Sequence, residues 1–149
     1  MNKPLASSSQ VQIISLGAGF DTLFFRLLHG HPGLNVDFVE VDSSEVVDKK
    51  KNILAAANNF KALFKDDGEN VESTYPIAFQ WRMKGPNCSY TLLEADLGDL
   101  TQLKKAFSQL ELSPARPTLI LMECVFVRRF RCPLTHQVIL SYFHSLTYL

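Results

Sequence analysis

Val11-Gln12-Ile13-Ile14-Ser15-Leu16-Gly17-Ala18-Gly19-Phe20-Asp21-Thr22 is the stretch on which the reading of this sequence turns. Val11 to Leu16 is short, apolar and bounded by glycine, as expected of a parallel strand buried on both faces. The two glycines then make a tight turn that brings the backbone close to whatever binds there. Thr22 to Leu28 follows as a helix with Leu23, Phe24, Leu27 and Leu28 on one stripe, and Asp21 is placed to cap it. A second strand, Val36 to Val41, leads into Asp42, at close to the ~20-residue separation from the glycines expected of a ribose-binding acid. Strand, glycine turn, helix, strand and acid form the layout of a nucleotide-type cofactor site. The third glycine of the dinucleotide fingerprint is absent, because Thr22 stands in its place. That argues against a pyrophosphate-bearing cofactor and for one without phosphates.

The same alternation continues outward. Ser43 to Asn58 reads as a helix rich in Lys and Ala, Tyr90 to Ala95 as a third strand, and Thr118 to Met122 as a fourth. Asp99 opens a third helix, with Gln102 three residues on as its capping partner and Leu100, Leu103, Phe107 and Leu110 on its apolar stripe. Strands alternating with helices give an α/β fold with a parallel sheet and right-handed crossovers. Residues 1–10 are a polar, Ser-rich lead-in. Asn59 to Ser89 is a connection too long for an ordinary loop, hence a functional insert or a weakly ordered segment.

Bulk composition narrows the classes. The chain has 149 residues, 46% hydrophobic and 20% charged, which predicts a single soluble globular domain. Its 15 basic and 15 acidic side chains cancel, so no general electrostatic attraction draws it to nucleic acid or an anionic membrane. No apolar run reaches the ~20 residues of a membrane span, and no secretory leader is evident. Cys88, Cys124 and Cys132 are odd in number and lack a C-x-x-C, which suits a reducing cytoplasm. His29, His31, His136 and His144 have no metal-ligand spacing, so no metal site is expected. Arg128, Phe130 and Arg131 read as a solvated rim in a neutral chain rather than an RNA surface.

Acids recur at the carboxyl ends of the strands. Asp42 and Glu45 also form a helix-capping pair, and capping and ribose binding can coexist. Asp96 ends the third strand, where it is either a solvated turn residue or an acceptor for an adenine amino group, with Leu97 offering an apolar face. Glu123 follows the fourth strand at the same edge, and ligands of open α/β sheets bind at that edge. No side chain has the setting of an activated nucleophile with a base in reach, so no catalytic residue is assigned.

These residues carry a family likeness. Leu16 to Thr22 with Phe25-Arg26-Leu27, Glu40-Val41-Asp42, Ala95-Asp96-Leu97, Pro117-Thr118-Leu119 and Glu123-Cys124-Val125 resemble the leucine carboxyl methyltransferases over about Val11 to Val127. The resemblance implies a Rossmann-like class I methyltransferase fold and S-adenosyl-L-methionine as cofactor. It implies Gly17 at the methionine part of the cofactor, Asp42 on the ribose, Asp96 and Leu97 at the adenine, and Glu123 near the methionine. It further implies methyl esterification of the C-terminal leucine carboxylate of the protein phosphatase 2A catalytic subunit. A sister branch acting on transfer RNA in wybutosine synthesis shares much of the motif set. Members of the family are longer, and residues 128–149, from Arg128-Arg129-Phe130-Arg131 onward, depart from their pattern. The likeness is thus to a truncated or divergent form, one partial S-adenosylmethionine-binding domain over residues 1–149. Its four strands would leave an exposed apolar sheet edge.

Overall fold

A computed structural model describes residues 10–59, 71–75, 78–110 and 112–122. Six strands form one sheet in the order β3-β4-β5-β2-β1-β6. The strands are β1 (Val11–Leu16), β2 (Val36–Asp42), β3 (Val71–Tyr75), β4 (Ala78–Lys84), β5 (Cys88–Glu94) and β6 (Thr118–Met122). The helices are α1 (Leu23–Gly30), α2 (Ser44–Ala56) and α3 (Leu100–Ser108). Neighbours in the block β5-β2-β1-β6 run parallel, with Leu16 opposite both Val41 and Met122, and Asp42 opposite Glu94. That register brings the carboxyl ends of all four strands to one edge. The expected α/β fold is observed.

Period-2 alternation sorts the side chains onto the two faces. Ile14, Leu16, Val39, Val41 and Leu93 pack with Leu97, Leu103, Ala106 and Phe107, so one face is closed by α3. On the other face Val36, Phe38, Tyr90 and Leu92 meet Phe24, Phe25 and Leu28 of α1 and Val47 and Leu54 of α2. Phe24 stacks on Tyr90 at 4.8 Å between ring centres, and Trp81 meets Tyr90 edge-on at 6.4 Å. Asp99 caps α3 as the sequence predicts, accepting from the backbone N–H groups of Thr101 and Gln102. Among the described residues no helix is long and apolar enough to cross a membrane.

Two expectations change. The connection from Asn59 to Ser89 contains β3 and β4, an antiparallel hairpin joined to β5, so the sheet is mixed rather than purely parallel. The cause is visible in the alternation Phe79, Trp81, Met83 against Gln80, Arg82, Lys84, which is a strand pattern. Trp81 and Met83 bury themselves in the α1–α2 face. Among the described residues β6 is the last strand of the sheet, and its Leu119 is half exposed. The second departure concerns the start of α2. Its N-cap is Ser43, and Glu45 pairs with Lys49 at 2.6 Å instead of completing a capping box with Asp42.

Candidate functional site

β1 delivers the chain to the glycine turn and the turn is held by main-chain geometry. Gly17 and Gly19 both adopt the left-handed region, at φ 67° and 55°. A side chain at Gly19 would meet nothing within 4 Å, so the requirement there is conformational rather than steric. Gly17 N–H extends the ladder to the Val41 carbonyl at 2.7 Å. Asp21 N–H closes the turn on the Ala18 carbonyl at 3.0 Å and its Oδ1 accepts from Leu23 N–H at 3.1 Å, but the N-cap of α1 is Thr22 rather than the expected Asp21.

Asp42, the last residue of β2, is the clamp across this turn. Its Oδ2 accepts from Gly19 N–H at 2.8 Å and its Oδ1 from Ser43 N–H at 2.7 Å. A carboxylate oxygen can accept more than one hydrogen bond, so the residue keeps capacity for a ligand diol. Between the ends of β1 and β6 lies a cavity of about 530 Å³ lined by Ser15, Gly17, Ala18, Asp21, Leu121 and Met122 among others. β1 is connected through α1 to β2 on one side, while β6 lies on its other side. The cavity therefore occupies the topological switch point, where open α/β sheets bind ligands. Its volume is in the usual range for small-molecule sites.

The other predicted residues extend along the same edge. Asp96 lies just beyond β5; its Oδ1 accepts from Gly98 N–H at 2.9 Å, and it is exposed. Leu97 is buried with Leu93, Ala95 and Leu103 in the α3 face. The Ala95 N–H reaches the Asp42 carbonyl at 3.0 Å, so the ends of β5 and β2 stay in step. Glu123 lies outside the described residues. Gly17 thus lines the cavity, Asp42 clamps its loop, and Asp96 and Leu97 stand beyond β5 on the same edge.

Beneath the loop is a group the sequence did not single out. Lys50 of α2 and Glu40 of β2 are both buried and form an ion pair, and Tyr90 OH donates to the same Glu40 Oε2 at 2.7 Å. Lys50 Nζ also donates to the Asp21 carbonyl at 2.7 Å. Burial pushes the Glu40 carboxyl above its ordinary value, with the Lys50 charge opposing. Burial, and then the Glu40 charge, push the Tyr90 phenol far up. A lysine in a Lys-rich helix reads as solvated, and only the packing of α2 on β2 reveals otherwise.

The parallel core, the glycine turn and the crevice at the switch point place the chain in the Rossmann-like class of α/β proteins. Comparison with known proteins resolves the class further. A family model described as leucine carboxyl methyltransferase matches residues 4–127, and the chain belongs to that family. It is similar to a leucine carboxyl methyltransferase 1 homolog of Arabidopsis thaliana, 31% identical over 128 residues, covering 81% of this chain and 34% of the relative. It is similar to leucine carboxyl methyltransferase 1 of Caenorhabditis elegans, 36% identical over 117 residues, covering 78% of this chain and 33% of the relative. It is also similar to human tRNA wybutosine-synthesizing protein 4, at 32% identity over 116 residues, covering 78% of this chain and 16% of that protein. The chain thus spans about a third of the length of the carboxyl methyltransferases it matches.

Proposed function

We propose that this chain forms the cofactor-binding part of an S-adenosyl-L-methionine-dependent carboxyl methyltransferase. The observation that carries the reading is the glycine turn, left-handed at two positions and clamped by Asp42, beside a cavity of about 530 Å³ at the switch point. These residues fit the cofactor: the glycines leave room for its close approach, the cavity has a suitable volume, and the acid offers acceptors to a ribose diol without competing with a phosphate. Gly17 would line the methionine part, Asp42 would hold the ribose hydroxyls, Asp96 and Leu97 would flank the adenine, and Glu123 would lie near the methionine.

When bound, the cofactor supplies an electrophilic methyl group. The chain's own contribution is to hold that donor in line with the acceptor. A carboxylate acceptor is already ionised at neutral pH, so orientation does the work and no general base is needed. The family supports a carboxylate acceptor, and we assign the C-terminal leucine of the protein phosphatase 2A catalytic subunit as the substrate. The similarity to tRNA wybutosine-synthesizing protein 4 favours a transfer RNA carboxylate as the second reading. A cytoplasmic setting belongs to the same proposal, supported by the buried free thiol of Cys88.

Calorimetric titration of the chain with S-adenosylmethionine and with NAD tests the cofactor. Heat with the first and none with the second is expected. Binding of NAD alone would overturn the methyltransferase reading, and no heat with either would leave a non-catalytic member of the family. Radiolabelled methyl transfer to a phosphatase tail peptide, against transfer to wybutosine-precursor transfer RNA, separates the two substrates.

A further inference from the structure

The buried Lys50–Glu40 pair has no evident reason to be there on grounds of stability. Removing two charges from water costs more than their attraction commonly returns, and well-packed apolar residues of similar volume often serve as well or better. Both side chains are nonetheless almost fully buried, at 5% and 3% side-chain exposure. What distinguishes the pair is where the remaining hydrogen bond goes. Lys50 Nζ donates to the main-chain carbonyl of Asp21, the last residue before the α1 N-cap and one of those lining the cavity. A lysine offers three donors and no acceptor. With one donor on Glu40 and another on Asp21, the ammonium bridges β2, α2 and the glycine turn.

Glu40 and Asp42 stand two residues apart on β2 and therefore share a face of the strand. That face holds the turn at two points. Asp42 holds Gly19 directly at 2.8 Å, and Glu40 holds Asp21 through Lys50. Tyr90, itself fully buried, fixes the Glu40 carboxylate from β5. A turn with two left-handed glycines has little conformational preference of its own. Its shape is therefore imposed from below.

We infer that Lys50 is a positioning residue for the cofactor site: it holds the Gly17–Asp21 turn in its binding shape through the Asp21 carbonyl, with Glu40 as its anchor. This rests on reading the crevice beside β1 as the cofactor site. No contact between Lys50 and the cofactor is involved.

The test compares Glu40→Gln/Lys50→Met with Tyr90→Phe in the full chain. The double variant removes both buried charges together and so avoids stranding one, but it severs the bond to Asp21. Tyr90→Phe weakens the same network and leaves that bond in place. Thermal melting, affinity for S-adenosylhomocysteine and amide hydrogen exchange are read for each. The double variant should lose about tenfold or more in affinity. Its Gly19 and Asp21 amides should exchange faster, while those of β1 and β2 keep their protection. Tyr90→Phe should lower the melting temperature and leave both readouts at the turn unchanged. A double variant with wild-type exchange at Gly19 and Asp21 overturns the inference, whether or not cofactor binds. Equal loss of affinity in both variants in proportion to stability would also overturn it, by showing a role only in folding. A wild-type chain that binds no S-adenosylhomocysteine would instead count against the cofactor reading, and the exchange result would still decide the role of Lys50.

Discussion

β2 carries an aspartate at each end, and the two live differently. At the amino end Asp37 faces side chains: Arg116 Nη1 reaches its Oδ2 at 2.6 Å, Ser89 Oγ donates to its Oδ1, and Arg116 also reaches Gln10. At the carboxyl end Asp42 faces main chain, with Gly19 N–H on one oxygen and Ser43 N–H on the other. Each end has a cavity, one of about 370 Å³ lined in part by Asp37 and one of about 530 Å³ lined by the glycine turn that Asp42 clamps, though not by Asp42 itself. Cavity volume therefore does not separate them. The difference lies in what the acid organises. Asp37 is neutralised by a guanidinium at the base of the sheet, whereas Asp42 shapes a loop of left-handed glycines at the switch point and, among the described residues, pairs with no cation. Only the second arrangement combines close backbone approach, uncommitted acceptor capacity and the strand edge at which such folds bind ligands.

The strongest way to disturb the carboxyl end is from beneath. Lys50→Met alone strands the buried Glu40 carboxylate, and a loss of about 3–5 kcal/mol is expected by denaturant unfolding. The pH dependence has a definite sign. Glu40 has its folded value raised already, and losing the Lys50 charge raises it further. The folded state then holds a proton that the unfolded state releases, so the variant is least impaired in acid below the ordinary 4.5 and loses stability as pH rises through the raised value. A pH-independent deficit between mild acid and neutrality would contradict this.

A smaller effect is expected at the turn itself. Gly19→Ala forces a left-handed φ on a residue with a Cβ and should cost about 1–2 kcal/mol, together with cofactor affinity. Gly33→Ala is the matched control: an added Cβ there meets nothing within 4 Å and the backbone is not left-handed, so a change within about 0.5 kcal/mol is expected. Equal effects at the two glycines would remove the conformational argument. The smallest expected effect is at the N-cap of α3. Asp99→Ala should lower stability by about 1 kcal/mol and leave cofactor affinity unchanged, as melting and titration would read directly.

Much of this strand edge is legible in the sequence, because it rests on local rules. An apolar run bounded by glycine gives β1, another set off by Pro117 gives β6, both at their observed limits, and the glycine turn announces itself. What was missed depends on tertiary placement. The alternation around Trp81 marks a strand, but the long connection containing it hid the hairpin. In sequence Asp42 reads both as a capping partner of Glu45 and as a ribose-binding acid. Its carboxylate does accept from Ser43 N–H, but the other oxygen turns back to Gly19, a choice that sequence spacing does not encode. Lys50 sits among Lys49 and Lys51 in sequence; Lys49 pairs with Glu45 in solvent and Lys50 is buried. Three adjacent lysines on a helix point in different directions, and only the packed face distinguishes them.

The two ends of β2 can be set against each other in a single experiment. Titration of S-adenosylmethionine into the Asp42→Ala and Asp37→Ala variants, each first shown to be folded, should give a loss of about 1–3 kcal/mol in binding for the first. The second should bind as the unaltered chain does, with only its melting temperature lowered. Undiminished affinity in Asp42→Ala, or a loss confined to Asp37→Ala, would contradict the assignment of the cofactor to the carboxyl edge.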